Sequence, residues 1–240
     1  MDIYAVNITS ELEVNLYEKF FSFVAEDKAR RILRLINRKD KIRTLIGDIL
    51  IRSAACDHLQ ISNEDIQFEY NHYGKPRLKD WHQFHFNVSH SGDWVVAAVD
   101  ERPIGIDIER VNSIDCLGIA ERFFSKTEYQ WLRTQDLGRR LDCFYKLWTL
   151  KESYLKIIGA GLSIPLDSFS FIIKKNDDIH IDVGIDKRED KYLRLFSIDN
   201  NHIMSICSEN DPATSRIVFR NYGELYNKII RVAKVEGPAY

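Results

Sequence analysis

Two acidic residues stand at alternate positions of a short apolar segment, "PIGIDIER" (residues 103–110). Three isoleucines alternate there with Gly105, Asp107 and Glu109. Because a β-strand sends alternate side chains to opposite faces, the two carboxylates share a face, about 7 Å apart at their Cα atoms. Carboxylates that close repel each other unless a cation lies between them or one takes up a proton. The segment therefore predicts either a solvated strand face or a cation site.

A third acidic residue, Glu152, falls on a long helix predicted at about residues 139–158. Helical spacing places it within an apolar stripe, one turn after Trp148. A buried carboxylate needs a cation or a strong donor, since otherwise it is costly or neutral. Three oxygen ligands without histidine or cysteine suit Mg²⁺ or Mn²⁺. The competing explanation is an internal salt-bridge network, in which Lys151 and Lys156 flank Glu152.

Basic residues in separate segments indicate an anionic ligand. Residues 26–44 contain eight lysines and arginines and three acids. Most of these cations are expected to face solvent, but Lys28 and Arg31 share a helix face and can grip a phosphate. Lys75 lies in a predicted turn, "YGKP", and His90 at a strand end, "SHSG". Together with the acids, they predict a metal ion and a polyphosphate ligand.

Composition and motifs exclude several classes of protein. The chain has 240 residues, 45% of them hydrophobic, and a net charge of −2, which argues against a nucleic-acid coat or a membrane-surface protein. No apolar run reaches the length of a membrane span, and the N-terminus does not resemble a signal peptide. The four cysteines have no CxxC spacing and indicate reduced thiols in the cytoplasm. A Ser89–His90 hydrolase is rejected, because adjacent strand residues point apart and no GxSxG elbow is present.

The pattern of apolar residues predicts an α+β fold of two similar α/β halves. The expected division is residues 1–103 for the first half, 104–211 for the second half with the metal site, and 212–240 for a partly helical tail. Ser10 and Glu13 suggest a capping box at the start of a first helix. Further helices are predicted at "EDKARRILRLI", from near Asp40 to His58, and near 116–122, 126–135 and 139–158. Strands are predicted near 2–8, 66–70, 84–88, 94–99, 104–109, 169–174, 179–184, 191–198 and 202–208.

Four segments together resemble the 4′-phosphopantetheinyl transferases of the surfactin-synthetase type: "FNVSHSG", "GIDIE", "RFFSKTEY" and "FYKLWTLKESYLK…GAGLSIPLDSF". GIDIE followed by WxxKESxxK is the specific part, and the resemblance extends from residue 1 to about residue 210. It implies a monomer whose halves are related by a pseudo-twofold axis, with coenzyme A and Mg²⁺ in the cleft between them. It also implies transfer of phosphopantetheine to a serine of a peptidyl or acyl carrier domain, as in nonribosomal peptide and antibiotic biosynthesis, with release of 3′,5′-ADP.

The resemblance also implies a role for individual residues. It assigns the metal to Asp107, Glu109 and Glu152, and it places Lys156 near the coenzyme A phosphates. Arg31 stands where a lysine is expected. Arginine keeps the positive charge, but its planar guanidinium donates hydrogen bonds in a different geometry from a lysine ammonium. The implied contacts to the 3′-phosphate and adenosine of coenzyme A are Lys28, Arg31, Thr44, Lys75, Ser89 and His90.

The general base that takes the serine proton stays open between Glu152, Glu128 and a metal-bound water. Ser125 and Glu128 also fit a capping box, a role that is compatible with catalysis. A Mg²⁺-dependent phosphodiesterase or nuclease is an alternative function, because it would use the same acids and a lysine. A non-catalytic module that binds coenzyme A or a carrier domain is another, although such a module would be expected to lack one of the metal acids.

Overall fold

The computed structural model describes residues 1–174, 179–182 and 191–232. Within these ranges the chain has the predicted α+β fold. The α-helices there are α1 (Val14–Phe23), α2 (Glu26–Arg34), α3 (Arg38–Leu59), α4 (Cys116–Phe123), α5 (Lys126–Arg133), α6 (Leu137–Ile158) and α7 (Tyr222–Val232). The strands there are β1 (Asp2–Asn7), β2 (Phe68–Tyr70), β3 (Pro76–Leu78), β4 (His85–Ser91), β5 (Trp94–Asp100), β6 (Ile104–Arg110), β7 (Ser170–Ile173), β8 (Ile179–Asp182), β9 (Tyr192–Asp199), β10 (His202–Ser208) and β11 (Ile217–Arg220).

The backbone contacts divide the chain into two compact units. Among the described residues, the first unit contains 2–69, 76–101 and 216–232. The second unit contains residue 1, the short segment 70–75 and residues 102–215. The turn between β2 and β3 is therefore grouped with the second unit. None of the helices in the described ranges is long and apolar enough to span a membrane.

The first unit is built on a four-stranded sheet with the order β11-β1-β5-β4. β1 pairs antiparallel with β5 and parallel with β11, and β4 pairs antiparallel with β5. Helix α3 packs against β4 and β5, and it is also contacted by α1, α2 and α7. β11 and α7 come from the segment predicted as a tail, which thus contributes a strand that the sequence did not predict. Residues 233–240 of that tail lie outside the described residues.

The second unit is built on an antiparallel sheet with the order β6-β10-β9. Helix α6 packs across β6 and β10, and α4 and α5 pack against α6. β7 and β8 form a separate antiparallel pair. The predicted strand 179–184 is present as β8, and its positions 183–184 lie outside the described residues. The three isoleucines of β6 are fully buried, so this strand has no solvated apolar face.

A side-chain cap marks the start of α3, whereas the capping box predicted for the first helix is wrong. Asn37 caps α3 by accepting a hydrogen bond from Lys39 N at 2.7 Å, so this helix begins at Arg38, two residues before the predicted start near Asp40. The capping box predicted at Ser10 and Glu13 is absent, because α1 begins only at Val14 and has no side-chain cap. Leu12 is 4% exposed, so the segment before α1 already contributes a side chain to the core.

Candidate active site

Strand β6 and helix α6 approach each other closely at Gly105. A Cβ atom on Gly105 would lie 2.0 Å from Ser153 O and 2.7 Å from a second backbone atom of α6. On the neighbouring strand β10, Ser205 donates a hydrogen bond to the Ser153 hydroxyl at 2.9 Å. Because Gly105 faces α6, strand alternation places Asp107 and Glu109 on that same face. The close approach thus brings the two acids of the strand to the helix.

Asp107 forms an ion pair with Lys156 of α6. Its Oδ1 accepts a hydrogen bond from Lys156 Nζ at 2.6 Å, and the same ammonium donates to Ile106 O at 3.1 Å. Asp107 is only 3% exposed. The Lys156 side chain is 26% exposed, so the cost of removing this ammonium falls mainly on the buried Asp107 carboxylate, which would lose a charged partner. The pair therefore fixes the C-terminal part of α6 against β6.

Glu152 lies in the electrostatic field of this ion pair. Burial raises the pKa of its carboxyl group, the Asp107 carboxylate raises the pKa further, and the Lys156 ammonium opposes both effects. Glu152 and Lys156 are four residues apart, so they share a face of α6. The structure therefore brings two carboxylates and one ammonium together. Lys156 thus forms a salt bridge here, as the competing explanation expects of it, but its partner is Asp107.

The donor chemistry of this cluster fits Mg²⁺ or Mn²⁺. Its carboxylate oxygens are hard ligands, and burial first, then the Asp107 carboxylate, raises the pKa of Glu152, two effects that a bound divalent cation would offset. The described residues contain no group of three or more His, Cys, Asp or Glu side chains already arranged to hold a metal ion. Asp107 lies close enough to Glu152 to raise its pKa, and the participation of Glu109 stays a prediction.

Glu128 has the predicted structural role at the start of α5. Its Oε2 accepts hydrogen bonds from Ser125 N at 3.0 Å and Ser125 Oγ at 2.9 Å, which completes a capping box. Its Oε1 accepts from Phe171 N at 2.9 Å. Lys151 Nζ lies 2.8 Å from Oε2, and both side chains are 1% exposed. Both carboxylate oxygens are thus already engaged.

Lys151 is a buried lysine whose partner is Glu128. The competing salt-bridge explanation offered it as a partner of Glu152, whereas it pairs with Glu128 and donates to Leu166 O at 2.7 Å and Phe169 O at 2.8 Å. Burial lowers the pKa of this ammonium, and Glu128 opposes that effect. The Phe169 ring centroid is 4.4 Å from Nζ, within reach of a cation–π contact. Lys151 therefore fastens α6 to the segment leading into β7.

Two family models match the chain. A model described as the 4′-phosphopantetheinyl transferase superfamily matches residues 103–207, and a model of the N-terminal part of a 4′-phosphopantetheinyl transferase matches residues 13–102. The chain is also 40% identical, over 225 residues, to 4′-phosphopantetheinyl transferase Sfp of Bacillus subtilis (strain 168), covering 94% of this chain and 100% of that protein. The chain belongs to the 4′-phosphopantetheinyl transferase family. The predicted family and the predicted enzyme class, a transferase, are thereby confirmed.

Other relatives of this transferase carry the same activity in their names. It is 43% identical over 164 residues to 4′-phosphopantetheinyl transferase gsp of Aneurinibacillus migulanus, with 68% of each chain covered. It is 30% identical over 207 residues to the L-aminoadipate-semialdehyde dehydrogenase-phosphopantetheinyl transferase of Mus musculus, covering 76% of this chain and 66% of that protein. The similarity therefore extends well beyond one group of bacteria.

The transferase carries most of its predicted coenzyme A residues in the first unit. Lys28 and Arg31 lie on α2, and Lys28 Nζ is 3.9 Å from an oxygen of Asp48. Thr44 is half-buried on α3. Along β4, Ser89 is buried and the next residue, His90, is exposed, as expected for adjacent strand residues that point apart. Their contact with coenzyme A stays a prediction.

Lys75 of the transferase has an environment that the sequence did not predict. It belongs to the second unit, where its Nζ donates to Lys156 O at 2.5 Å and Ile157 O at 3.2 Å. Burial lowers the pKa of this ammonium to about 8. Sequence reasoning could not find these contacts, because Lys75 and Lys156 are 81 residues apart. Only the turn signal "YGKP" marked the position.

Proposed function

We propose that this transferase moves the 4′-phosphopantetheine arm of coenzyme A onto a serine hydroxyl of a peptidyl or acyl carrier domain. The cluster of Asp107, Glu152 and Lys156 carries the proposal. It combines carboxylates suited to a divalent cation with an ammonium suited to phosphate oxygens, at one place on β6 and α6. The family to which the chain belongs supports the same reaction.

The reaction is a displacement at the β-phosphorus of the coenzyme A pyrophosphate. A bond forms between the serine oxygen and that phosphorus, and the bond from phosphorus to the bridging oxygen breaks, so that 3′,5′-ADP leaves. Positioning and charge neutralisation dominate such reactions. Lys156, which Asp107 and Ile106 O hold in place, neutralises charge on the leaving phosphate. Mg²⁺ bound by Asp107, Glu152 and Glu109 would act as a Lewis acid towards the phosphate oxygens.

Among the candidate bases, we propose Glu152 over Glu128. Four donor groups already engage the Glu128 carboxylate, and its side chain is 1% exposed. Glu152 is only half-buried and lies beside Asp107 and Lys156. A general base must come within hydrogen-bond reach of the proton it takes. Glu128 therefore serves as a cap and an ion-pair partner, which leaves Glu152 or a metal-bound water to receive the serine proton.

Binding of coenzyme A is proposed to use cations and hydroxyls of the first unit. Lys28 and Arg31 share a face of α2 and present positive charge suited to the 3′-phosphate. The remaining proposed contacts are Thr44, Ser89 and His90.

The cysteines and the net charge indicate the cellular setting. The four cysteines are all free thiols, which is typical of a reducing compartment. The net charge of −2 gives no broad cationic surface for nucleic acid. We therefore propose a cytoplasmic enzyme that acts on carrier domains and not on nucleic acid or membranes, and, as the family resemblance implies, acts as a monomer.

The proposal is tested by intact mass spectrometry of an apo peptidyl carrier domain incubated with the protein, coenzyme A and Mg²⁺. One phosphopantetheine should be added to each carrier. The addition should be lost with EDTA, and also when the carrier serine is replaced by alanine. If neither a peptidyl nor an acyl carrier gains mass, the proposed reaction is wrong. Cleavage of DNA by the protein under the same conditions would favour the phosphodiesterase alternative.

A further inference from the structure

The C-terminal turn of α6 is held by a turn from elsewhere in the chain. This clamping turn is the segment Tyr70–Lys75, which belongs to the same unit as α6. Lys75 Nζ donates to Lys156 O at 2.5 Å, to Ile157 O at 3.2 Å and to Ile104 O at 3.4 Å. The last four carbonyls of a helix lack partners within the helix, and a cation there also interacts favourably with the helix dipole. Lys75 therefore caps α6 from outside the helix.

Asn71 makes the second contact of the clamping turn. Its Nδ2 donates to Gly159 O at 2.9 Å, immediately after the end of α6. Its Oδ1 accepts from Tyr73 N at 3.0 Å and from Lys75 N at 2.8 Å, which shapes the turn itself. One amide side chain thus both closes the turn and attaches it to the helix end.

Gly159 explains why the clamping turn can come so close. Its φ is 72°, in the left-handed region that ends α6. A Cβ atom at this position would lie 2.9 Å from Lys75 Cδ and 3.2 Å from Asn71 Nδ2. The glycine therefore serves the helix end and leaves room for the two side chains that hold it.

Two lysines fasten the same part of α6 to the same strand. Lys75 Nζ reaches Ile104 O and Lys156 Nζ reaches Ile106 O, the carbonyls on either side of Gly105. Gly105 is also the point at which strand and helix are closest. The backbone of Lys156 is thus held by Lys75, while its side chain holds Asp107.

We propose that Lys75, supported by Asn71, is a positioning residue of the transferase, which clamps the last turn of α6 and thereby keeps Lys156 in place beside Asp107. The contacts of Lys75 are independent of the proposed function, but the expected effect on catalysis rests on it. It differs from the role implied by the family resemblance, in which Lys75 grips the 3′-phosphate of coenzyme A. The two roles predict opposite kinetics.

The decisive experiment compares Lys75→Met with the wild type on coenzyme A and on 3′-dephospho-coenzyme A. A clamp predicts that kcat falls, by about 10- to 100-fold if Lys156 moves by about 1 Å. It also predicts an unchanged KM for coenzyme A and an unchanged preference for coenzyme A over the dephospho form. If KM rises and that preference is lost, Lys75 is a phosphate ligand and the clamp is refuted. Unchanged kinetics would refute it as well.

Two further variants separate the clamp from a general loss of folding. Asn71→Asp keeps the acceptor for Tyr73 N and Lys75 N but removes the donor to Gly159 O, so it should lower kcat in the same way. Lys79→Met changes an exposed lysine four residues beyond Lys75 and should leave kcat unchanged. If Lys75→Met does not fold, Asn71→Asp decides the question by the same kinetics.

Hydrogen exchange provides a readout that does not depend on catalysis. Amides of the last turn of α6, residues 155–159, should exchange faster in Lys75→Met and Asn71→Asp than in the wild type and Lys79→Met. Unchanged exchange in both clamp variants would overturn the inference. If the wild type transfers nothing to any carrier, the proposed function fails, yet the exchange rates still decide whether the clamp exists.

Discussion

Replacing Gly105 by alanine probes the contact on which the candidate site depends. The new Cβ atom would lie 2.0 Å from Ser153 O, whereas Cβ atoms essentially never come within 3.0 Å of such an atom. Because the obstructing atoms belong to the backbone of α6, no side-chain rotation relieves the clash. The helix and strand must separate by about 1 Å or more, and misplacement on this scale costs about 100-fold in rate.

The consequence for the site follows from the ion pair beside Gly105. Lys156 Nζ and Asp107 Oδ1 are 2.6 Å apart, and a separation of about 1 Å takes them beyond hydrogen-bond distance. Gly105→Ala should therefore lower kcat/KM for phosphopantetheine transfer by about 100-fold. Overpacking typically costs about 1–3 kcal/mol, which lowers the melting temperature by roughly 3–10 °C in a chain of this size.

A matched control is available on the same helix. Gly138 lies in the first turn of α6, and a Cβ atom there would meet nothing within 4 Å. Gly138→Ala should keep full transfer activity and stabilise the protein slightly, because alanine is a better helix former than glycine. The measurements are carrier mass gain over time and thermal unfolding monitored by circular dichroism. Wild-type activity and stability in Gly105→Ala would refute the reasoning.

Three further predictions concern the charged groups of the second unit. Asp107→Ala and, separately, Glu152→Ala should abolish the carrier mass gain while the circular dichroism spectrum stays folded, and normal turnover with Mg²⁺ in either would disprove the metal assignment. Burial raises the pKa of Glu152, so between the unfolded and the folded pKa this carboxyl group keeps its proton only in the folded protein. The stability that the group contributes is therefore lost as the pH rises through its raised pKa. Without metal, Glu152→Gln should therefore melt at a higher temperature than the wild type at neutral pH. Below the pKa of an unfolded glutamate, the two proteins should melt at the same temperature. An equal melting temperature at neutral pH would contradict the raised pKa of Glu152. Glu128→Gln or Lys151→Met alone should cost roughly 3–5 kcal/mol of unfolding free energy. The double variant should lose less than the sum of the two single losses. Strict additivity in denaturant titrations would show that the two groups are not coupled.

Local patterns in the sequence determined much of the second unit. The alternation in "GIDIE" predicts β6 and the shared face of Asp107 and Glu109, because side-chain direction in a strand has a period of two. The apolar periodicity predicts α6 with Glu152 near its buried stripe. The Ser125–Glu128 capping box follows from a spacing of three residues. Each of these features depends only on neighbours along the chain.

The failed capping box at Ser10 shows the limit of such reasoning. The same spacing of three residues occurs at Ser10–Glu13 and at Ser125–Glu128. Only the second forms a box; at the first, α1 begins only at Val14, after the buried Leu12. The contribution of β11 to the first sheet was equally invisible, since its parallel partner β1 lies at the other end of the chain.

The tertiary structure alone decided which charges meet. Lys151 and Lys156 both flank Glu152 in the sequence, and their local patterns do not distinguish them. The close packing of α6 on β6 at Gly105 directs Lys156 to Asp107, while Lys151, on a different face of the helix, reaches Glu128. Lys75 acquires its partners at the end of α6 in the same way. Residue type fixes what a charged group can bind, but its partner depends on which faces pack together, and that is set by contacts between distant parts of the chain.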